Sequence, residues 1–103
     1  MVNAQQWLDN NYPKDQRNTI KKLNIAGKDL EGELDLRVFV DLEELNCENN
    51  KLSGCLNLSN LSKLKILTCR NNKILLVFIR DIKRIDCFTI YILLIRWDLD
   101  LSF

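Results

Sequence analysis

The chain has 103 residues, 15 Lys+Arg against 14 Asp+Glu, and a formal net charge of +1. That length holds one small domain, and the near-balanced charge argues against a basic nucleic-acid binder and against a polyanionic tail, while 47% hydrophobic residues suffice for a core. There is no histidine, which removes His-based metal sites, Ser–His or Cys–His catalysis and a histidine pH switch.

The first residues, Met1 to Trp7, carry neither a basic stretch nor an apolar one, so no signal peptide is expected. No uninterrupted apolar run exceeds the length of Ile90–Ile95, far shorter than the roughly 20 residues of a membrane span. A cytoplasmic chain with no transmembrane segment is therefore expected, and the triplets Asn57-Leu58-Ser59 and Asn60-Leu61-Ser62 read as chance matches to a glycosylation signal. Residues 1–19 form an N-terminal helical cap in this reading. Asn3 is its N-cap, Trp7, Leu8 and Tyr12 share one side, and Pro13 ends the helix, because the residue before a proline avoids the α region. Asp15 is placed to cap a last short turn. Trp7 has a second reading as a binding anchor.

From residue 20 the sequence repeats with a period of 22. Ile20, Leu42 and Leu64 align, as do Leu23, Leu45 and Leu67, then Ile25, Cys47 and Cys69, then Leu30, Leu52 and Ile74. The second half repeats too: Gly32 with Gly54, Leu34 with Leu56, Leu36 with Leu58 and Phe39 with Leu61. Asn50 aligns with Asn72, and Lys28 occupies that slot in the first copy. Alternation in Leu45-Asn46-Cys47 marks a short strand, and stacked copies give a parallel sheet with strands about 4.8 Å apart.

The pattern apolar-x-x-apolar-x-apolar-x-x-Asn-x-apolar over residues 20–30, 42–52 and 64–74 resembles the leucine-rich repeat. With cysteine in the third apolar slot and the leader 3–17, it is similar to cytosolic leucine-rich repeat proteins of fungi. The resemblance implies a short α/β solenoid whose parallel sheet lines the concave face, with copies starting at 20, 42 and 64 and filling 20–73. It also implies that Asn50 and Asn72 form a buried structural ladder that satisfies backbone groups of neighbouring turns. Lys28, in an end coil, can reach water instead.

Residues 74–103 break the pattern. All 12 Asn, all three Gly and the one Pro precede them, while 20 of these 30 residues are hydrophobic. A fourth copy at period 22 puts Asp86, Thr89, Tyr91 and Arg96 in apolar slots and fails. Slipping back four residues places Ile82, Ile85, Cys87 and Ile92 in those slots, with Ile90 in place of Asn. The segment is thus a divergent hydrophobic strand or tail, and the run 90–95 invites self-association. Two origins compete: truncation or misreading of a longer repeat protein, or a genuine hydrophobic edge that docks another subunit or a membrane surface.

The concave face is the expected binding surface. Its columns are Lys22, Glu44 and Ile66; Asn24, Asn46 and Thr68; and Ala26, Glu48 and Arg70, flanked by Gly27, Asn49 and Asn71. These suit a protein or peptide partner; the plainer reading is that Lys22–Glu44 and Glu48–Arg70 are lateral ion pairs. Cys47 and Cys69, stacked in one interior slot, together with Cys55 and Cys87, are expected as free thiols. No phosphate loop, activated nucleophile or zinc spacing is present, so the chain is expected to be non-catalytic and to need no cofactor or metal. Two functions follow: an interaction module that binds a protein or peptide and no nucleic acid, or a fragment that self-associates through 74–103.

Overall fold

The computed structural model describes residues 2–79, 82–87 and, as backbone, 91–94. It is a solenoid of about three turns, followed by one more pair of strands. Each turn contributes one strand to each of two parallel sheets on opposite sides. The front sheet runs β2 (Lys22–Asn24), β4 (Glu44–Asn46), β6 (Ile66–Thr68) and β8 (Arg84–Asp86). The back sheet runs β1 (Val2–Asn3), β3 (Leu30–Gly32), β5 (Lys51–Asn57), β7 (Lys73–Ile79) and β9 (Tyr91–Leu94).

The repeat sets the front register. Leu23, Leu45 and Leu67 pair in line, flanked by Lys22–Glu44–Ile66 and Asn24–Asn46–Thr68. The three leucines are buried, while the flanking side chains point outward, as the pleat requires. Each leucine so buried contributes roughly 1.5–3 kcal/mol.

The back sheet was not expected. Its strands grow from a second alternation, Leu52-x-Gly54-x-Leu56, whose leucines face the core. With hydrogen-bonded strands on both sides, the coils are spaced about 4.8 Å apart on each. The strands themselves therefore give neither side the shorter path that a concave face needs. The surface expected to be concave is, in this structure, the face of the three-residue front strands.

Between the back strand of one coil and the front strand of the next, the chain turns a corner by successive i to i+3 bonds. Phe39 N–H donates to Leu36 and Leu42 N–H to Phe39; one coil later Leu61 donates to Leu58 and Leu64 to Leu61. Residues three apart eclipse in such turns, so Leu36, Phe39 and Leu42, and then Leu58, Leu61 and Leu64, all point inward and are buried.

Coil three departs first. Gly54 pairs with Ile74 and Cys55 with Leu76, so Leu75 is the extra residue of a bulge and stands 55% exposed. Coil four follows at a spacing of 18, pairing Ile66 with Arg84, Leu67 with Ile85 and Thr68 with Asp86. This is the register of the four-residue slip. On the back, Val77 pairs with Ile92. Ile90 and Ile95 lie outside the described residues.

At the other end, α1 (Ala4–Asn11) starts at Asn3, whose Oδ1 accepts the Gln6 N–H at 2.9 Å. Ala4 and Leu8, four apart, are fully buried, and Trp7 is half-buried against the core. Tyr12 is already extended, just before Pro13. Asp15 falls in the first turn of a 3₁₀ segment, Lys14–Thr19, that leads to β2. Arg17, in that segment, is 3% exposed. Its Nε donates to the Tyr12 carbonyl at 2.9 Å, and Nη2 donates to Asp9 at 2.8 Å and to the Leu8 carbonyl at 3.4 Å. It satisfies the last carbonyls of α1 while stacking over Phe39, 5.7 Å from the ring centre.

Candidate functional site

The front face is built on strands whose alternate residues are locked into the core. The turns leaving β2, β4 and β6 each need a left-handed residue, and Gly27, Asn49 and Asn71 supply φ of 65°, 58° and 56°. Asn71 also donates to Asn49 across the coils at 2.7 Å. Beneath this turn lies the asparagine ladder. Asn50 Oδ1 accepts the N–H of Lys28 (3.0 Å) and of Leu30 (3.1 Å) in the coil before. Its Nδ2 donates to the carbonyls of Ile25 (2.9 Å), Cys47 (3.1 Å) and Glu48 (3.3 Å). Asn72 repeats this one coil on, accepting from Leu52 at 2.9 Å and donating to Cys47, Cys69 and Arg70. The Lys28 ammonium, on the surface, sits 5.6 Å from the centre of the Trp7 ring, which ties Trp7 to the fold.

Of the eight expected front-face residues, Lys22, Asn24, Glu44, Asn46, Ile66 and Thr68 line one shallow groove of about 300 Å³. Glu48 and Arg70 lie in the next column, just past the strands. The ion pairs only partly match expectation. Lys22 meets Glu44 at 3.1 Å, whereas Arg70 closes to 3.6 Å from Asp86 on the fourth coil, a partner that the 22-residue period does not offer. Asn24 and Asn46 have their Oδ1 atoms occupied by the N–H of Ala26 (3.0 Å) and Glu48 (3.1 Å). Their amino groups remain as donors on the groove.

The expectation of four free thiols is corrected. Cys69 and Cys87, in the same interior slot of coils three and four, are joined by a disulfide, with Cα atoms 4.7 Å apart. The Cys69 N–H donates to the Asp86 carbonyl at 3.0 Å and holds the two strands abreast. Cys47, one coil earlier, is free and buried, and burial pushes its thiol up to about 12; Cys55 is free and half-buried. Sequence reasoning also missed Arg17 and the lysines at the last corner, Lys63, Lys65 and Lys83. Only the shortened spacing to coil four hinted at the latter.

Among the described residues, no group of three or more Cys, Asp or Glu is placed to hold a metal ion, and no helix is long and apolar enough to cross a membrane. Asp9, Asp29, Asp35 and Asp41 are all held below the usual carboxylate range by hydrogen bonds from Arg17, Lys51, Arg37 and Lys63, respectively.

The fold defines a class: a small solenoid of parallel strands, compatible with a repeat protein. Compared with protein-family models, with curated proteins and with solved structures, the chain matches none.

Proposed function

We propose that the chain is a non-catalytic leucine-rich-repeat module that binds a protein or peptide on the front sheet, with residues 1–19 capping the array. The observation that carries this reading is the groove over β2, β4 and β6. It is a polar surface held rigid by a buried leucine column and the asparagine ladder. Rigid scaffolds presenting variable outward positions are typical binding surfaces. The fold analogy supplies the rest.

The test is capture of a partner from the native source by wild type and by the Glu48→Lys, Arg70→Glu double variant, with circular dichroism to verify the fold. The reading expects weakened capture from a folded variant; unchanged capture moves the site off this face. A cytoplasmic location belongs to the same reading. Cytosolic thiols are kept reduced, so the Cys69–Cys87 bond makes that location directly testable by counting thiols in freshly lysed cells.

A second reading is self-association through residues 74–103. It draws on exposed Leu75 and on β9, which ends the described back sheet. Sedimentation velocity separates the two: a monomer at all concentrations removes it, and growth abolished by deleting 74–103 supports it.

A further inference from the structure

Coil four turns its corner in half the residues. Residues 58–65 link β5 to β6, but only 80–83 link β7 to β8. Against the corner of coil three this leaves a cleft of about 420 Å³, lined by Glu43, Ser62, Lys63, Leu64, Lys65, Ile82 and Lys83.

Backbone bonds stack the charges of this cleft. Glu43 N–H donates to Lys21, Lys65 to Glu43 and Lys83 to Lys65, so these four residues form one column beside Lys22, Glu44, Ile66 and Arg84. Lys63 is answered by Asp41 at 2.8 Å and Lys65 by Glu43 at 3.6 Å. Lys83 and Arg84, both exposed, have no carboxylate within ion-pair distance among the described residues. The cleft therefore ends at Lys83, with Arg84 in the next column, two cations with no counter-charge among the described residues, beside an apolar floor, Leu64 and Ile82. The adjoining groove adds the donor amino groups of Asn24 and Asn46. Positive charge and spare donors call for a partner rich in acceptors.

We infer that this cleft anchors an acidic, extended segment of a protein partner. Carboxylates pair with Lys83 and Arg84, an apolar side chain settles on Leu64 and Ile82, and the segment continues past Ile66 onto the front sheet. The inference rests on the interaction-module reading and names the chemistry of its partner. A nucleic acid fits less well: among the described residues no aromatic side chain lines the cleft for base stacking, and Glu43 would face its phosphates.

The probe is a fluorescein-labelled peptide, Glu-Glu-Leu-Glu-Glu, followed by fluorescence anisotropy with the full chain at low salt. Expected is saturable binding that weakens with salt and falls about tenfold or more in Lys83→Glu, Arg84→Glu, since two exposed ion pairs become repulsions. Lys14→Glu, at the other end of the chain, reverses a single charge, and leaves binding intact. Lys83→Ala, Arg84→Ala, with no introduced repulsion, keeps the test valid if the reversed variant does not fold. Absence of saturable binding, binding indifferent to Lys83 and Arg84, or tighter binding of an oligouridine RNA each overturns the inference. If the Glu48 and Arg70 variant loses partner capture while the peptide ignores Lys83 and Arg84, the interaction reading stands and only the acidic anchor falls.

Discussion

From coil two to coil three, Leu45 pairs with Leu67 at a spacing of 22 residues; from coil three to coil four, Leu67 pairs with Ile85 at a spacing of 18. The front strands line up equally well in both cases, so strand pairing does not need the full repeat. What the shorter coil gives up lies elsewhere. Its corner has no room for the inward trio that Leu58, Leu61 and Leu64 make one coil earlier. Its asparagine slot falls on Ile90, so the sequence provides no third rung after Asn50 and Asn72. In their place it has a covalent bond, Cys69–Cys87, and the Arg70–Asp86 pair. Register is thus set by the alternating strand, whereas the repeat length is set by the corner and the ladder.

The largest effect that sharpens this contrast is truncation of the leucine column. Leu67→Ala opens a cavity in the fully buried centre and is expected to cost about 2–5 kcal/mol in urea unfolding. Ile85→Ala, at a half-buried position of the short coil, is expected to cost clearly less. Equal losses would mean that coil four is packed as tightly as coil three.

Next comes the ladder. Asn50→Ala removes the side-chain partner of the Lys28 and Leu30 amides and of the Ile25, Cys47 and Glu48 carbonyls, of which Cys47 keeps Asn72 and Glu48 keeps the Gly27 N–H, and is expected to cost roughly 2–3 kcal/mol. Asn72→Ala, less buried and with only Leu52 bonded to its Oδ1, is expected to cost less. A reversal of that order would break the account of the rungs.

Acid is a weaker probe. Asp9, Asp29, Asp35 and Asp41 have folded values below their unfolded ones. The stability they contribute is complete above the unfolded value of about 4 and is lost as pH falls through the lowered values. Thermal melts are expected to stay level from pH 7 to about 5 and then decline below about 4. A Tm that rises on acidification contradicts the pairing. The smallest effect is Lys22→Ala on the exposed pair with Glu44, expected within about 0.5 kcal/mol of wild type by thermal melts.

Much of this was legible because repetition multiplies weak signals. Leu23, Leu45 and Leu67, or Asn50 and Asn72, say together what none says alone, and the outward columns followed from strand alternation. The back sheet carried the same kind of signal in Leu30-x-Gly32-x-Leu34 and Leu52-x-Gly54-x-Leu56, but the glycine at the centre of each weakens it as a strand pattern. Arg17 gave no sign of burial, because its partners are carbonyls that exist only once α1 has ended at Tyr12. The Cys69–Cys87 bond and the lysine-lined cleft both depend on the offset of coil four, and a period of 22 hides that offset. The groove was readable from the repeat, and the cleft was not, since it arises where the repeat fails.

The most direct test of the account is native-state amide hydrogen exchange at Lys28, Leu30 and Leu52, whose N–H groups are held by asparagine side chains of the following coil. Stacked coils tied by the ladder predict protection at these three sites comparable to that of Leu45 and Leu67, and its loss at Lys28 and Leu30, but not at Leu52, in Asn50→Ala. Exchange at these sites as fast as in exposed turns of the wild-type protein would contradict the ladder, and with it the stacking that presents the front face.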